Sequence, residues 1–179
     1  MGRVRKSPSM ANKIEEGMAK EQKHPSDSSE QSEAESELLE KLNRKLNWSL
    51  ANFTIAIKGK RTLQIDGFSL NDHAICEVYS HIGKLNGAQY QKVLTDALKL
   101  VYAEKLLEGE WIKVLLFADR EAAHSFESGT WYADVINAFG IRVEIVELDI
   151  SRHQAVINAQ ERQSISNVRS NRRDKRRNI

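Results

Sequence analysis

Two acidic residues stand in consecutive strand-like runs of the stretch LQIDGFSLNDHAICEVYSHIGK, residues 63–84. Asp66 closes the first run, and Glu77 lies in the second, where alternation places it on the same face as Tyr79. The two carboxylates can meet across the hairpin if the turn sets that register. Because Mg²⁺ binds through one or two carboxylates plus water and phosphate oxygens, the pair predicts a site for Mg²⁺, or for Mn²⁺ in its place. Two ordinary solvent-facing acids are the alternative interpretation.

The sequence around these acids predicts a sheet covered by helices. Strand patterns with turn residues between them occupy residues 53–58, 62–68, 74–80, 113–118 and 142–148. Helical spacing of apolar residues predicts helices at about 32–47, 88–108, 122–139 and 151–163. The order is α-βββ-α-β-α-β-α, with antiparallel strands first and βαβ units last. This order predicts an α/β (α+β) fold with a mixed central sheet.

Local signals predict how two of these helices begin and which side one of them buries. The stretch Ser32-Glu-Ala-Glu35 fits a capping box for the first helix. Asp119 follows the apolar run KVLLFA and is a good N-cap for the third helix. The apolar spacing of that helix predicts that Trp131 and Phe139 face the core.

Charge is distributed unevenly, although the formal net charge is only +2. Residues 1–31 are polar without an apolar period, which predicts a disordered segment. Residues 32–160 then form a single α/β domain, and residues 161–179 form a basic tail. Clustered arginine predicts contact with nucleic acid, whereas a solvated, disordered tail is the alternative. The predicted nucleic-acid-binding residues are Arg169, Arg172, Arg173, Lys175, Arg176 and Arg177.

The composition excludes several classes of protein. The sequence contains no run of about 18 apolar residues, so it predicts no membrane-spanning helix and we expect no membrane partner. The basic N-terminus has no apolar stretch behind it and does not fit a secretory signal. A single cysteine, Cys76, excludes an internal disulfide and a cysteine-based zinc cluster. We therefore expect a reducing, cytoplasmic setting, in which a protein partner or a homo-oligomer is compatible with the sequence.

The order of elements and acids over residues 32–150 resembles the restriction-endonuclease-like, or PD-(D/E)xK, nuclease superfamily. Asp66 matches the acid of its second strand, and Glu77 matches the acid of its third. The resemblance implies a restriction-endonuclease-like fold, Mg²⁺ as cofactor, and a further metal ligand in the backbone carbonyl of Val78. It implies a nuclease that acts on DNA or RNA phosphodiesters.

The lysine of that motif is absent here, because Tyr79 stands in its place, and Ile65 replaces the proline before the first acid. Members of the superfamily also take this lysine from elsewhere, including the following helix. Its role is to stabilise charge at the attacked phosphate. Lys92 is the first candidate for the displaced catalytic lysine, and Lys84 is the second. Glu35 of the first helix is a candidate for a further family ligand.

Other interpretations of the same residues remain open. Lys92 belongs to a polar helix stripe with Gln89, Asp96 and Lys99, which a solvated helix edge also explains. The missing lysine favours a catalytically inactive nuclease fold that binds nucleic acid or a protein partner as a subunit of a larger complex. A small α/β domain that binds a nucleotide or another anion is a third interpretation.

Overall fold

The computed structural model describes residues 29–57, 59 and 61–177, with the backbone alone from residue 166 onward. This part of the chain is a mixed α/β fold. Its five strands are β1 (Ala51–Ile57), β2 (Arg61–Ser69), β3 (Ala74–Tyr79), β4 (Ile112–Phe117) and β5 (Ile141–Ile145). Its helices are α1 (Ser29–Leu46), α2 (Gly87–Leu107), α3 (Arg120–Glu127), α4 (Trp131–Ala138) and α5 (Ile150–Arg177).

One mixed sheet contains all five strands, in the spatial order β1-β2-β3-β4-β5. The first three strands form an antiparallel meander. β4 and β5 then add in parallel to β3, each after a helical crossover. The predicted mixed sheet is therefore confirmed, and β3 is its central strand.

Helices cover both faces of the sheet, so β3 is buried along its whole length. Ile75 and Tyr79 pack into one core with α2, α3 and α4. Cys76 and Val78 pack into the opposite core with α1 and α5. This alternation confirms the predicted faces of the strand, and it directs Glu77 toward α2.

Helix α1 begins earlier than the sequence pattern predicts. It starts at Ser29, so Ser32 lies inside it and its carbonyl accepts a hydrogen bond from the Ser36 hydroxyl. The predicted capping box at Ser32 is therefore wrong. Residues 29–31 of the segment that we expected to be disordered are helical, and residues 1–28 lie outside the described residues.

The predicted third helix is two helices, α3 and α4. Gly129 adopts a φ of +75°, which glycine tolerates, and the Thr130 hydroxyl then caps α4 by accepting from the Ala133 N–H. The break changes the helical phase, so the apolar spacing no longer describes one buried stripe. Trp131 and Phe139 are 58% and 46% exposed, and the prediction that they face the core is wrong.

The predicted start of α3 is confirmed, whereas the predicted end of the last helix is wrong. Asp119 caps α3 by accepting from the Ala122 N–H at 3.2 Å, as predicted. The last helix, which we expected to end at Gln163, continues as α5 to Arg177. Within the described ranges, no helix combines the length and apolarity needed to cross a membrane.

Candidate active site

A β-bulge positions Asp66 in β2, the middle strand of the meander. Asp66 and Gly67 of β2 lie opposite the single residue Asn52 of β1, so the register shifts there. Bulges bend a strand and re-aim its side chains, and they are frequent next to active sites. The packing around Gly67 is close, because a Cβ there would lie 2.9 Å from the Cδ1 of Leu39 and 3.1 Å from the Cβ of Cys76, so a larger residue would force these neighbours to shift. The bulge therefore combines close packing against α1 with a displaced acid.

The pairing of β2 with β3 stops beside this bulge. Gly67 pairs with Cys76, and one step further the Asp66 carboxylate, instead of a backbone carbonyl, accepts the Val78 N–H at 3.0 Å. The N–H and C=O of one strand residue point to the same side. The carbonyl of Val78 therefore faces β2, the strand that carries Asp66, and its role as a metal ligand stays a prediction.

Glu77 lies between Cys76 and Val78 on β3, just past the last residue pair with β2, and only 2% of its surface is exposed. One carboxylate oxygen, Oε2, lies 2.5 Å from the Nζ of Lys99 on α2. The other, Oε1, is buried and has no hydrogen-bond partner among the described residues. A buried polar atom without a partner is rare and is a common sign of a functional site.

The electrostatics of the site oppose the charge on Glu77. Burial raises the pKa of Glu77 well above its ordinary value, and the charge of Asp66 raises it further, while Lys99 offsets part of the effect. Burial alone would lower the pKa of Lys99, but the charges of Glu77 and Asp96 outweigh it and raise that pKa. A cation beside Asp66 and Glu77 would therefore stabilise both carboxylates.

Tyr79, at the position of the motif lysine, has a structural role. Its hydroxyl donates to Oδ2 of Asp96 at 2.6 Å, and its ring stacks on Phe117 with 5.0 Å between centroids. Burial, followed by the charge of Asp96, raises the pKa of Tyr79, so the phenol stays neutral. Tyr79 supplies no positive charge, but it fixes Asp96, which lies 3.5 Å from the Nζ of Lys99.

The structure brings Lys99, and not the two lysines preferred from the sequence, to the Glu77 carboxylate. Lys92 is 65% exposed, lies 3.8 Å from Asp96 and covers the Tyr79 ring at 5.0 Å. Lys84 is exposed in the loop before α2. That loop separates β3 from α2 by seven residues, 80–86. Because a helix rises about 1.5 Å per residue, a lysine two turns further along α2 is the one above the acid.

A cleft of about 270 Å³ opens where β3 ends. It lies between the start of α1, the first turns of α2 and the middle of α5. Its lining includes Gln31, Glu35, Tyr79, Gln89, Lys92 and Gln163. Glu35, the candidate family ligand, therefore lies on the wall of this cleft.

The oxygen atoms of the candidate site suit Mg²⁺ or Mn²⁺ better than a metal that prefers nitrogen or sulfur ligands. In the part of the chain that the structure describes, no three His, Cys, Asp or Glu side chains form a metal-binding group. Two carboxylates, with the Val78 carbonyl facing β2, match the sparse protein ligation of Mg²⁺, which keeps several waters or phosphate oxygens. The unpartnered Oε1 of Glu77 is consistent with such a ligand set.

The predicted nucleic-acid-binding residues lie on the last turns of α5, where the backbone is helical to Arg177. Their side chains fall outside the described part of the structure. Comparison of the chain with protein-family models, with curated proteins and with solved structures gave no match.

Proposed function

We propose that this chain is a metal-dependent phosphodiesterase with a restriction-endonuclease-like fold, acting on DNA or RNA. The observation that carries the proposal is the Glu77 carboxylate, which is buried next to the charge of Asp66, is paired with Lys99, and retains an unpartnered oxygen. The helix, antiparallel meander, helix and parallel strand around it support the same assignment.

Asp66, Glu77 and the carbonyl of Val78 are the residues that would hold Mg²⁺ or Mn²⁺. Such an ion, when bound, polarises the phosphoryl oxygen and lowers the pKa of a water molecule. Protonation of Glu77 removes one anionic ligand, and its pKa is raised. Activity should therefore fall as the pH decreases through the raised pKa of this residue.

Lys99 takes the role of the absent motif lysine in this proposal. Its ammonium group supplies a fixed positive charge beside the acids, in a largely buried setting where such charges act strongly. Asp96 contacts the same ammonium group at 3.5 Å and is itself held by Tyr79. The two contacts orient the Lys99 side chain without placing a charge on Tyr79.

Cleavage of labelled DNA and RNA with Mg²⁺ or Mn²⁺ tests the proposal. Glu77→Gln should abolish cleavage, and Lys99→Ala should lower kcat by about 100-fold, the usual cost of one charge-stabilising group. Lys92→Ala is the matched control on the same helix, because its ammonium group is exposed and does not contact Glu77. Equal activity of the wild type and a folded Lys99→Ala variant would refute the role of Lys99.

A catalytically inactive nuclease fold is the second candidate. The observation that favours it is Tyr79, which occupies the lysine position, is buried, and is committed to Asp96 and Phe117. A wild type that binds nucleic acid but cuts no form of it with either metal would support this candidate. Variants of Glu77 and Lys99 would then leave binding unchanged.

The setting and partners belong to the same proposal. Nucleic acid is the partner that fits both the acids and the arginine-rich end of the chain, residues 169–177. A cytoplasmic setting stays a prediction based on the single cysteine, Cys76, whose side chain is buried. A protein partner or a homo-oligomer also stays a prediction.

A further inference from the structure

The cleft at the end of β3 combines neutral hydrogen-bonding side chains with an apolar part formed by Leu85 and Val93. Carboxamides from three helices meet there: Gln31 of α1, Gln89 of α2 and Gln163 of α5. The lining also includes one cation, Lys92, and one carboxylate, Glu35, so its charges balance. A phosphate would gain little net attraction in such a cleft, whereas a neutral polar group would find donors and acceptors.

Hydrogen bonds join several of these cleft side chains to one another. The Nε2 of Gln163 donates to the Oε1 of Gln31 at 3.2 Å, and the Nε2 of Gln89 lies 2.9 Å from the Nδ1 of His81. Burial lowers the pKa of His81, which favours the neutral imidazole. A ligand with amide-like edges can replace neutral bonds of this kind at little cost, because similar bonds are exchanged.

The position of the cleft relative to the acids is fixed by β3 and α2. Tyr79 lines the cleft, and Glu77 precedes it by two residues on the same face, roughly 7 Å along the strand. On α2, Lys92 lines the cleft and Lys99 contacts Glu77. Because neither Asp66 nor Glu77 lines the cleft, a group bound there lies further along β3 and α2 and leaves the position between the acids free.

We propose that this cleft binds one unpaired nucleobase of the substrate, and that the substrate is consequently a single-stranded nucleic acid or an unpaired end. This inference rests on the proposed function. Amide side chains pair with base edges, as they do in other protein–nucleic acid contacts. A paired base cannot enter a side cleft unless it leaves the stack, which costs a few kcal/mol in a duplex and little in a single strand.

Equilibrium binding of fluorescent 10-nucleotide single strands to the full chain tests the proposal. The strands carry one abasic position that is moved along the sequence, and EDTA is present so that cleavage does not interfere. One abasic position should weaken binding by about tenfold, the effect of losing one or two hydrogen bonds. A blunt duplex should bind more weakly than the intact single strand.

Variants of α5 provide a matched pair. Gln163→Phe places a bulky ring in the cleft and should remove the position-specific effect, whereas Ser164→Phe adds the same ring at an exposed position and should keep it. Gln89→Glu is a second cleft variant that preserves an acceptor for the Asn86 N–H at the start of α2. It should also reduce the effect, even if Gln163→Phe disturbs the contact between α1 and α5.

The proposal would be overturned if every abasic strand bound equally well, or if the duplex bound as tightly as the single strand. It would also be overturned if both cleft variants retained the abasic effect. Absence of binding to either form would overturn it as well. Failure of the proposed function gives a different result: no substrate would be cleaved, while the affinities measured in EDTA would still show the abasic effect. Equal cleavage of duplex and single strand would reject the cleft assignment and leave the phosphodiesterase intact.

Discussion

Glu77 is the residue at which folding and catalysis make opposing demands. Its Oε1 is buried without a hydrogen-bond partner among the described residues, and an unsatisfied buried group of this kind costs about 1–3 kcal/mol. Lys99 offsets part of the cost through Oε2, and the nearby charge of Asp66 adds to it. Local strain of this type persists where the surrounding structure enforces it, and it clusters at functional sites.

Glu77→Gln should raise the free energy of unfolding at pH 8 by about 1 kcal/mol while abolishing cleavage. The folded pKa of Glu77 lies well above its ordinary value of 4.5, so the native state binds this proton more tightly than the unfolded state. The stability that the protonated Glu77 side chain gives to the wild type is therefore fully present below pH 4.5 and is lost as the pH rises through the folded pKa. Urea unfolding of both proteins between pH 4.5 and 8 measures the effect.

The difference in stability between Glu77→Gln and the wild type should grow as the pH increases. The Glu40→Gln variant, changed at an exposed position of α1, should show no such growth. A Glu77→Gln variant that is less stable than the wild type throughout this range would mean that the lost partner of Lys99 outweighs the relief of the buried charge.

At this scale the sequence predicts the acids better than the lysine. Alternation along a strand is sufficient to place Glu77 and Tyr79 on one face, because the period of a strand is fixed. The lysine above Glu77 depends on where α2 begins, which is set by the Asn86 cap and by the path of the preceding loop. The spacing of the polar residues on α2 contains no information on either feature, so it was equally compatible with Lys92 and with Lys99 as the lysine near Glu77.

Among the elements, α1 and α5 are joined by ionic contacts along their length. Arg152 pairs with Glu33 and Glu37, and Arg162 pairs with Glu30. Both helices also contribute walls to the cleft. The sequence shows the acidic and basic segments separately, but the pairing between them requires the sheet to bring residues over 110 positions apart together.

Glu37→Gln should lower the free energy of unfolding by about 2 kcal/mol, because it weakens charge-assisted hydrogen bonds. Glu37 accepts the Asp149 N–H at 2.8 Å and pairs with Lys41 at 3.0 Å and with Arg152 at 3.4 Å. Thermal or urea unfolding measures the change. Glu40→Gln on the same helix is exposed and should change stability by less than about 0.5 kcal/mol.

The same contacts set a pH dependence of the opposite sign to that of Glu77. Burial alone would raise the pKa of Glu37, but the Asp149 N–H and the Lys41 ammonium group outweigh it and lower the pKa. The stability that Glu37 contributes is therefore present above its ordinary pKa of 4.5 and is lost as the pH falls through the lowered value. If the Glu37→Gln variant and the wild type lost stability equally as the pH fell below 4.5, this assignment would be contradicted.

Considered as a whole molecule, the fold brings together two helices that are far apart in the sequence, the acidic α1 and the basic α5. On α5, Arg162 pairs with Glu30 of α1, and the helix continues to Arg177. The last turns of α5 carry the arginine-rich sequence, and the same helix lines the cleft through Gln163.

Deletion of residues 169–179 should weaken nucleic-acid binding and reduce its salt dependence, because fewer counterions are released on binding. Urea unfolding of the deletion variant checks that the domain stays folded. Fluorescence anisotropy at several salt concentrations gives the slope of log affinity against log salt. An unchanged slope would refute a direct contact between this segment and the phosphates.

The missing ladder bond between β2 and β3 makes the Val78 amide a natural spectroscopic reporter. Its proton is held by the carboxylate of Asp66 at 3.0 Å, so the NMR resonance of this one amide should respond to protonation of that acid and to any ion that binds it. Because Val78 is buried in the central strand, bulk solvent should contribute little to the signal. Titration of the labelled protein with Mg²⁺ would thus reveal occupancy before any substrate is known.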